Sequence, residues 1–249
     1  MNTKTKIKPI IEIKDLHKSY GSNHVLDGFH MYLNEGENLV VMGKSGSGKS
    51  VMIKCLIGLE EIDSGTILIM AKNISELNHE VLDEIRTEVG FLFQGSALYD
   101  SMSVRENLEF PLRRHTKKFG EIEDTTPLVV EALESVGLVN AINLMPNELS
   151  GGMKRRIALA RTLILKPKII LYDEPTTGLD PITSKEIILL MKSVQEKYKT
   201  SSIIITHDID CARVIANRMI LLIDGKNYIE GTFAELEASK DPKVKAFFK

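Results

Sequence analysis

The sequence predicts an α/β fold: a mostly parallel sheet with an antiparallel β flank and a helical insertion. Three observations lead there. Short aliphatic runs, Leu39–Met42, Val89–Phe93, Ile169–Tyr172, Ile203–Thr206 and Met219–Ile223, are apolar throughout, as strands buried on both faces are. Longer stretches of helical periodicity separate them, for example Ser184 to Tyr198 with Ile187, Ile188, Met191 and Val194 on one stripe. Strands alternating with helices imply βαβ units. The third observation is a stretch from about Met102 to Leu165 with almost no strand signal, which reads as helices inserted between core strands.

The antiparallel flank is expected from Ile10–Lys14 and Thr66–Ile69, with turns at Tyr20-Gly21-Ser22-Asn23 and Asp63-Ser64-Gly65. The whole of 1–249 is expected as a single domain, with its core in about 1–95 and 166–249 and a helical subdomain in about 96–165. At 43% hydrophobic and 27% charged residues, the chain has the composition of a folded globule rather than a disordered segment. The formal net charge of −2 argues against a protein that coats nucleic acid. Two distant cysteines, Cys55 and Cys211, exclude a disulfide framework and read as packed small hydrophobes in helices, in a reducing compartment. No apolar run approaches the roughly 18 residues a bilayer crossing requires. Met1–Pro9 is basic but has no apolar stretch behind it, so no signal peptide is expected.

Gly43-Lys44-Ser45-Gly46-Ser47-Gly48-Lys49-Ser50 follows an apolar strand and opens a helix that begins with Val51. This is a phosphate-binding loop in its required strand–loop–helix context. Glycines let the backbone wrap closely and turn its N–H groups inward, and the helix N-terminus adds positive dipole. Lys49 supplies a charge for the β and γ phosphates, and the Ser50 hydroxyl is a hard oxygen ligand for Mg²⁺. A nucleoside triphosphate is the expected ligand.

Such a site needs a carboxylate at a neighbouring strand end, and Ile169–Tyr172 runs into Asp173-Glu174. Asp173 is the candidate Mg²⁺ ligand, through a water, and Glu174 the candidate general base for an attacking water. By itself the pair also reads as an acidic turn before Pro175. His207, after the strand Ile203–Thr206, is placed to meet the γ-phosphate or order the water. Gln94, after Val89–Phe93, is placed to touch both Mg²⁺ and the water. Ser150-Gly151-Gly152 begins a helix, Lys154–Leu165, and is either a second phosphate-binding end or simply an N-capped helix start.

Walker A at 43–50, the Gln loop at Gln94, LSGG at 149–152, Walker B at 169–174, Gly178-Leu179-Asp180 and His207 stand in the order of an ABC-transporter nucleotide-binding subunit, which the chain resembles over almost its whole length. The resemblance implies the RecA-like P-loop NTPase fold, ATP with Mg²⁺, and hydrolysis coupled to transport. It makes Tyr20 the aromatic that stacks on adenine, where the residues alone allow a turn tyrosine, and Asp180 a contact across a dimer. It implies a head-to-tail pair of copies sharing two ATP, with each Ser150-Gly151-Gly152 turn facing the other's γ-phosphate. Integral-membrane permease subunits are the implied partners, at the cytoplasmic face of the inner membrane.

Phe93-Gln94-Gly95-Ser96-Ala97-Leu98-Tyr99-Asp100-Ser101-Met102-Ser103-Val104, with Asn107, Phe110-Pro111-Leu112-Arg113, Gly152-Met153-Lys154-Arg155-Arg156 and Asp180-Pro181-Ile182-Thr183, is similar to the ATPases of Mla/Mce lipid-transport systems. That likeness implies phospholipid or other hydrophobic cargo, with an Mce-type substrate-binding protein and a small accessory subunit as further partners. The alternatives are a transporter ATPase for another substrate, or a soluble ABC ATPase acting on nucleic acid or ribosomes. The latter usually carries a long coiled coil or duplicated nucleotide domains, and neither is visible. A phosphoryl-transferring kinase leaves LSGG unexplained. The basic runs Lys154-Arg155-Arg156 and Arg113-Arg114-His115-Thr116-Lys117-Lys118 read first as solvated helix faces. Their sharper readings are phosphate attraction for the first and a membrane-subunit loop or anionic headgroups for the second.

Overall fold

The computed structural model describes residues 8–115, 120 and 122–248. In chain order they form β1 (Ile11–Tyr20), β2 (Asn23–Leu33), β3 (Asn38–Met42), α1 (Lys49–Leu56), β4 (Ser64–Ile69), β5 (Lys72–Asn73), α2 (His79–Glu88) and β6 (Val89–Leu92). Then come α3 (Val104–Arg114), α4 (Thr126–Glu134), α5 (Gly151–Leu163), β7 (Ile169–Asp173), α6 (Pro181–Tyr198), β8 (Ser201–Ile205), α7 (Ile209–Ile215), β9 (Arg218–Ile223), β10 (Lys226–Gly231), α8 (Phe233–Glu237) and α9 (Pro242–Lys245). The chain divides into two compact units, one from Met1–Ile85 and Ser201–Lys249, the other from Arg86–Thr200.

The first unit holds β3 between β8 and β9, both parallel to it, with β10 antiparallel on the far side of β9. Every residue of β3 and of β8 is buried, as their uninterrupted apolar runs require. A second sheet in this unit, ordered β2-β1-β4-β5, is antiparallel throughout. Ile11, Ile13 and Leu16 of β1 and Leu26, Phe29, Met31 and Leu33 of β2 form its buried side. The flank is therefore real but larger than the sequence suggests. Strand β1 runs on to Tyr20, and β2 and β10 carry no all-apolar run because one face of each meets water. The turn at Gly21-Ser22 joins β1 to β2, whereas Ser64 and Gly65, expected as a turn, already lie within β4, where Ser64 pairs with His17.

The second unit holds the parallel pair β6–β7 and the helices α3, α4, α5 and α6. Between Leu92 and Ile169 the described residues contain no strand, so the helical insertion is as expected. Its helices start on their own signals: Ser103 and Glu106 form a reciprocal capping box on α3, and Asp180 with Pro181 opens α6. Asn107, fully buried, donates to the carbonyls of Tyr99, Met102 and Ser103 and accepts from the N–H of Tyr99, which shapes the turn before α3. Among the described residues no helix is long and apolar enough to cross a membrane.

Candidate functional site

In the first unit the phosphate loop grows out of a rigid strand. Gly43 follows β3, and the loop ends at Gly48, which N-caps α1 at φ 99°. A Cβ there would come within 2.9 Å of Val25, so both the backbone angle and the space demand glycine. Lys49, 8% exposed, curls back across the loop, its Nζ donating to the carbonyls of Gly43 at 2.8 Å and Lys44 at 3.0 Å. The Ser47 hydroxyl is buried without a hydrogen-bond partner among the described residues. A buried ammonium beside an unsatisfied hydroxyl, on a loop ending in a helix N-terminus, fits an oxygen-rich anion such as a triphosphate. Ser50, at the start of α1, is exposed.

The parallel register brings His207 to the same strand end. Val41 pairs with Ile205, so Gly43 and His207 each lie two residues further on. The histidine is exposed, between buried Thr206 and Asp208, whose carboxylate caps α7 by accepting from the N–H groups of Asp210 and Cys211. Tyr20, at the tip of β1, is 46% exposed, with the Lys18 ammonium 5.0 Å from its ring centre.

A cavity of about 410 Å³ opens beside the loop, between Lys44–Ser47, Asn23–Val25, the turn at Asp224-Gly225, and the C-terminal residues Lys243 and Phe247. Tyr20 is not part of its lining. Sequence reasoning passed over Lys243 and Phe247. Their signal was the Asp241-Pro242 helix start. The Asp241 carboxylate accepts from the N–H groups of Lys243 and Val244 and from the Tyr228 hydroxyl, which holds its pKa below the usual carboxylate range.

In the second unit, Leu92 of β6 pairs with Tyr172 of β7, so Gln94 and Glu174 each lie two residues past that pair. Asp173 ends β7. The parallel pair thus brings Gln94, Asp173 and Glu174 to one sheet edge. Glu174 has a left-handed backbone, φ 50°, and its carboxylate accepts from the Thr177 hydroxyl at 3.1 Å. Ser150 is exposed and caps α5, its Oγ accepting from the N–H of Met153 at 3.2 Å. Gly151 is open to solvent, whereas a Cβ on Gly152 would lie 2.5 Å from Thr183 Cγ2. Asp180 uses its carboxylate to cap α6, accepting from the N–H groups of Ile182 and Thr183 and from the Thr183 hydroxyl, and these bonds lower its pKa.

One expectation about charged positions comes out differently. Lys154-Arg155-Arg156 is not a uniformly solvated face. Arg155 is 4% exposed, donating to the carbonyls of Phe93 and Thr177, and Arg156 pairs with Glu186 at 2.7 Å. The helical stripe of α5 turns Arg155 inward, where it meets backbone carbonyls rather than water. Arg113 is paired with Glu109, itself nearly buried and bonded to the Thr125 hydroxyl, while Thr116, Lys117 and Lys118 lie outside the described residues. The two cysteines are buried, as expected, and burial pushes the Cys55 thiol up to about 11.

Comparison with known proteins gives concordant results. Residues 26–177 match the ABC transporter family. The chain is 41% identical over 238 residues to a probable ribonucleotide transport ATP-binding protein, mkl, of Mycobacterium leprae, covering 95% of this chain and 68% of that one. It is 39% identical to the methionine import ATP-binding protein MetN of Clostridium tetani, covering 87% and 67%. It is 38% identical to the intermembrane phospholipid transport ATP-binding protein MlaF of Haemophilus influenzae, covering 96% and 90%. Among solved structures, the ATP-binding cassette MJ0796, in a dimeric post-hydrolysis state with ADP and Pi, superposes with a TM-score of 0.80 at 34% identity, covering 90% of this chain and 98% of that one. The chain is therefore a member of the ABC transporter ATPase family, an ATP-binding and ATP-hydrolysing cassette.

Proposed function

We propose that this cassette powers a membrane transporter that moves phospholipids or other hydrophobic molecules in the cell envelope. The observation that carries the lipid reading is the likeness to MlaF, which extends over 90% of that protein. The run from Phe93 to Val104 and the Gly152–Arg156 segment, noted above as Mla-like, support it. In this reading the cassette lies at the cytoplasmic face of the inner membrane, bound through integral-membrane permease subunits. An Mce-type substrate-binding protein and a small accessory subunit complete the system. The likeness to MetN and mkl supports a second reading, a transporter ATPase for another solute.

In the proposed mechanism Lys49 and the loop N–H groups hold the β and γ phosphates, and Tyr20 stacks on the adenine. Glu174 takes a proton from the attacking water as its oxygen bonds to the γ-phosphorus and the bond to the β-phosphate oxygen breaks, leaving ADP and phosphate. Gln94 and His207 order the water and contact the γ-phosphate. Ser50, Asp173 and Gln94 would hold Mg²⁺, which neutralises phosphate charge when bound. Two copies pair head to tail, each exposed Ser150-Gly151-Gly152 turn offering N–H groups to the other's nucleotide. The dimeric state of MJ0796 supports that pairing.

The test is reconstitution with the proposed permease partner in vesicles containing a fluorescent phospholipid and a methionine probe. ATP-dependent lipid transfer, lost in Glu174→Gln, is the expected result. Transport of methionine without lipid movement overturns the lipid reading in favour of the second. Glu174→Gln is expected to keep ATP affinity while turnover falls on the order of 100-fold or more, the usual effect of losing a general base. Lys49→Ala is expected to weaken ATP binding itself.

A further inference from the structure

Arg155 is a charged side chain in a place where charge is costly. It is 4% exposed, burial lowers its pKa, and among the described residues it has no carboxylate partner. Among the described residues its Nε is buried without a hydrogen bond. An apolar side chain of similar length would fill such a site more cheaply. What the guanidinium supplies is a tie between separate segments. From the fifth residue of α5, Nη1 donates to the Phe93 carbonyl at 2.8 Å, next to Gln94, and Nη2 donates to the Thr177 carbonyl at 3.3 Å.

Thr177 continues the chain of bonds. Its N–H donates to the Glu174 carbonyl at 3.2 Å and its hydroxyl to the Glu174 carboxylate at 3.1 Å. Glu174 sits at φ 50°, a left-handed conformation that a residue with a side chain adopts only when its surroundings hold it there. Arg161, six residues further along α5, donates to the carbonyls of Ser96 and Ala97, themselves at φ 63° and 49°. The helix that begins at Ser150 therefore grips the backbone on both sides of Gln94 and, through Thr177, the side chain of Glu174.

We propose that Arg155 and Thr177 are positioning residues that couple the serine-glycine helix and the Gln94 segment to the orientation of the Glu174 carboxylate. The proposal rests on Glu174 acting as the general base. Any motion of α5 when a partner copy engages its N-terminus is then felt at the carboxylate through two intervening groups.

The test uses the full chain with its membrane partner and measures ATP affinity, kcat and KM. Thr177→Val keeps the shape and removes the donor. It is expected to lower kcat roughly 10- to 100-fold with KM and ATP affinity unchanged, the signature of a misplaced catalytic group. Thr177→Ser is expected to restore kcat to within about threefold of the parent, which a packing role for the lost methyl does not explain. In a Glu174→Gln background, Thr177→Val is expected to add nothing further, because both act on one group. Arg155→Met is expected to lower kcat in the same way, with Arg155→Lys intermediate. If Glu174→Gln stalls turnover while Thr177→Val keeps the parent kcat, the coupling is refuted and the general-base role stands. If Glu174→Gln turns over at the parent rate, the general-base role itself fails.

Discussion

Gly152 offers a contact whose cost can be worked out in advance. A methyl group there would sit 2.5 Å from Thr183 Cγ2, about 0.9 Å short of ordinary contact. Thr183 has little room to give way, because its hydroxyl donates to the Asp180 carboxylate that caps α6. Overpacking of this kind costs about 1–3 kcal/mol. Against it stands the preference of a helix for alanine over glycine, worth about 1 kcal/mol inside α5. Gly152→Ala should therefore be neutral to destabilising by about 2 kcal/mol. Thr183→Ser removes Cγ2 and keeps the hydroxyl on Asp180. In that background the overlap is gone and only the helix preference remains, so Gly152→Ala should become stabilising by up to about 1 kcal/mol. The assay is a double-mutant cycle on unfolding midpoints, where about 1 kcal/mol moves the midpoint by 2–4 °C for a chain of this size. A coupling energy near zero, with the alanine costing the same whether or not Thr183 carries its methyl, would show that packing against α6 is not why glycine stands there.

Other outcomes follow from the same structure. Gly151→Ala, at an open position whose nearest foreign atom would be 3.7 Å away, should leave the unfolding midpoint unchanged yet depress ATP turnover, since it crowds the turn that the proposed pairing offers to a second copy. The bonds from Thr183 and Ile182 that hold Asp180 below its ordinary pKa of 3.8 stabilise the fold above that value and are lost as pH falls through the lowered one. The stability gap between parent and Asp180→Asn should therefore be widest near neutrality and shrink below about pH 4, read from unfolding midpoints across pH. Arg218 bonds Glu37 at 2.8 Å, Glu230 at 3.2 Å and the Tyr32 carbonyl while lying over the Tyr32 ring, so Arg218→Ala should cost about 3 kcal/mol in urea unfolding. Asn107→Leu removes the fully buried amide that donates to three carbonyls of the turn before α3 and should cost about 2–4 kcal/mol by the same measurement. Cys55 and Cys211, both buried, should resist a thiol reagent until the protein is unfolded, and rapid labelling of native protein would contradict their burial.

Much of this protein is legible in one dimension because its chemistry is local. The phosphate loop, the acidic pair after Tyr172 and the serine-glycine helix start are each a short run, with residue types dictated by backbone geometry or by charge. Strands β3, β7 and β8 are buried on both faces and so announce themselves as unbroken apolar runs. Strands β2 and β10 do not, since a strand wetted on one face mixes polar and apolar residues and its pairing depends on neighbours far along the chain. The same reason hid the inner role of Arg155, which reads as one more charge in a basic triplet until α5 turns it onto the carbonyls of Phe93 and Thr177. Residues 243 and 247 joined the phosphate-loop cavity only through packing of the C-terminal turn. Composition and order thus determined the nucleotide chemistry and the family. Contacts between residues distant in the chain, set by register and by how helices pack, decided that Arg155 meets the carbonyls of Phe93 and Thr177 and that Lys243 and Phe247 line the phosphate-loop cavity.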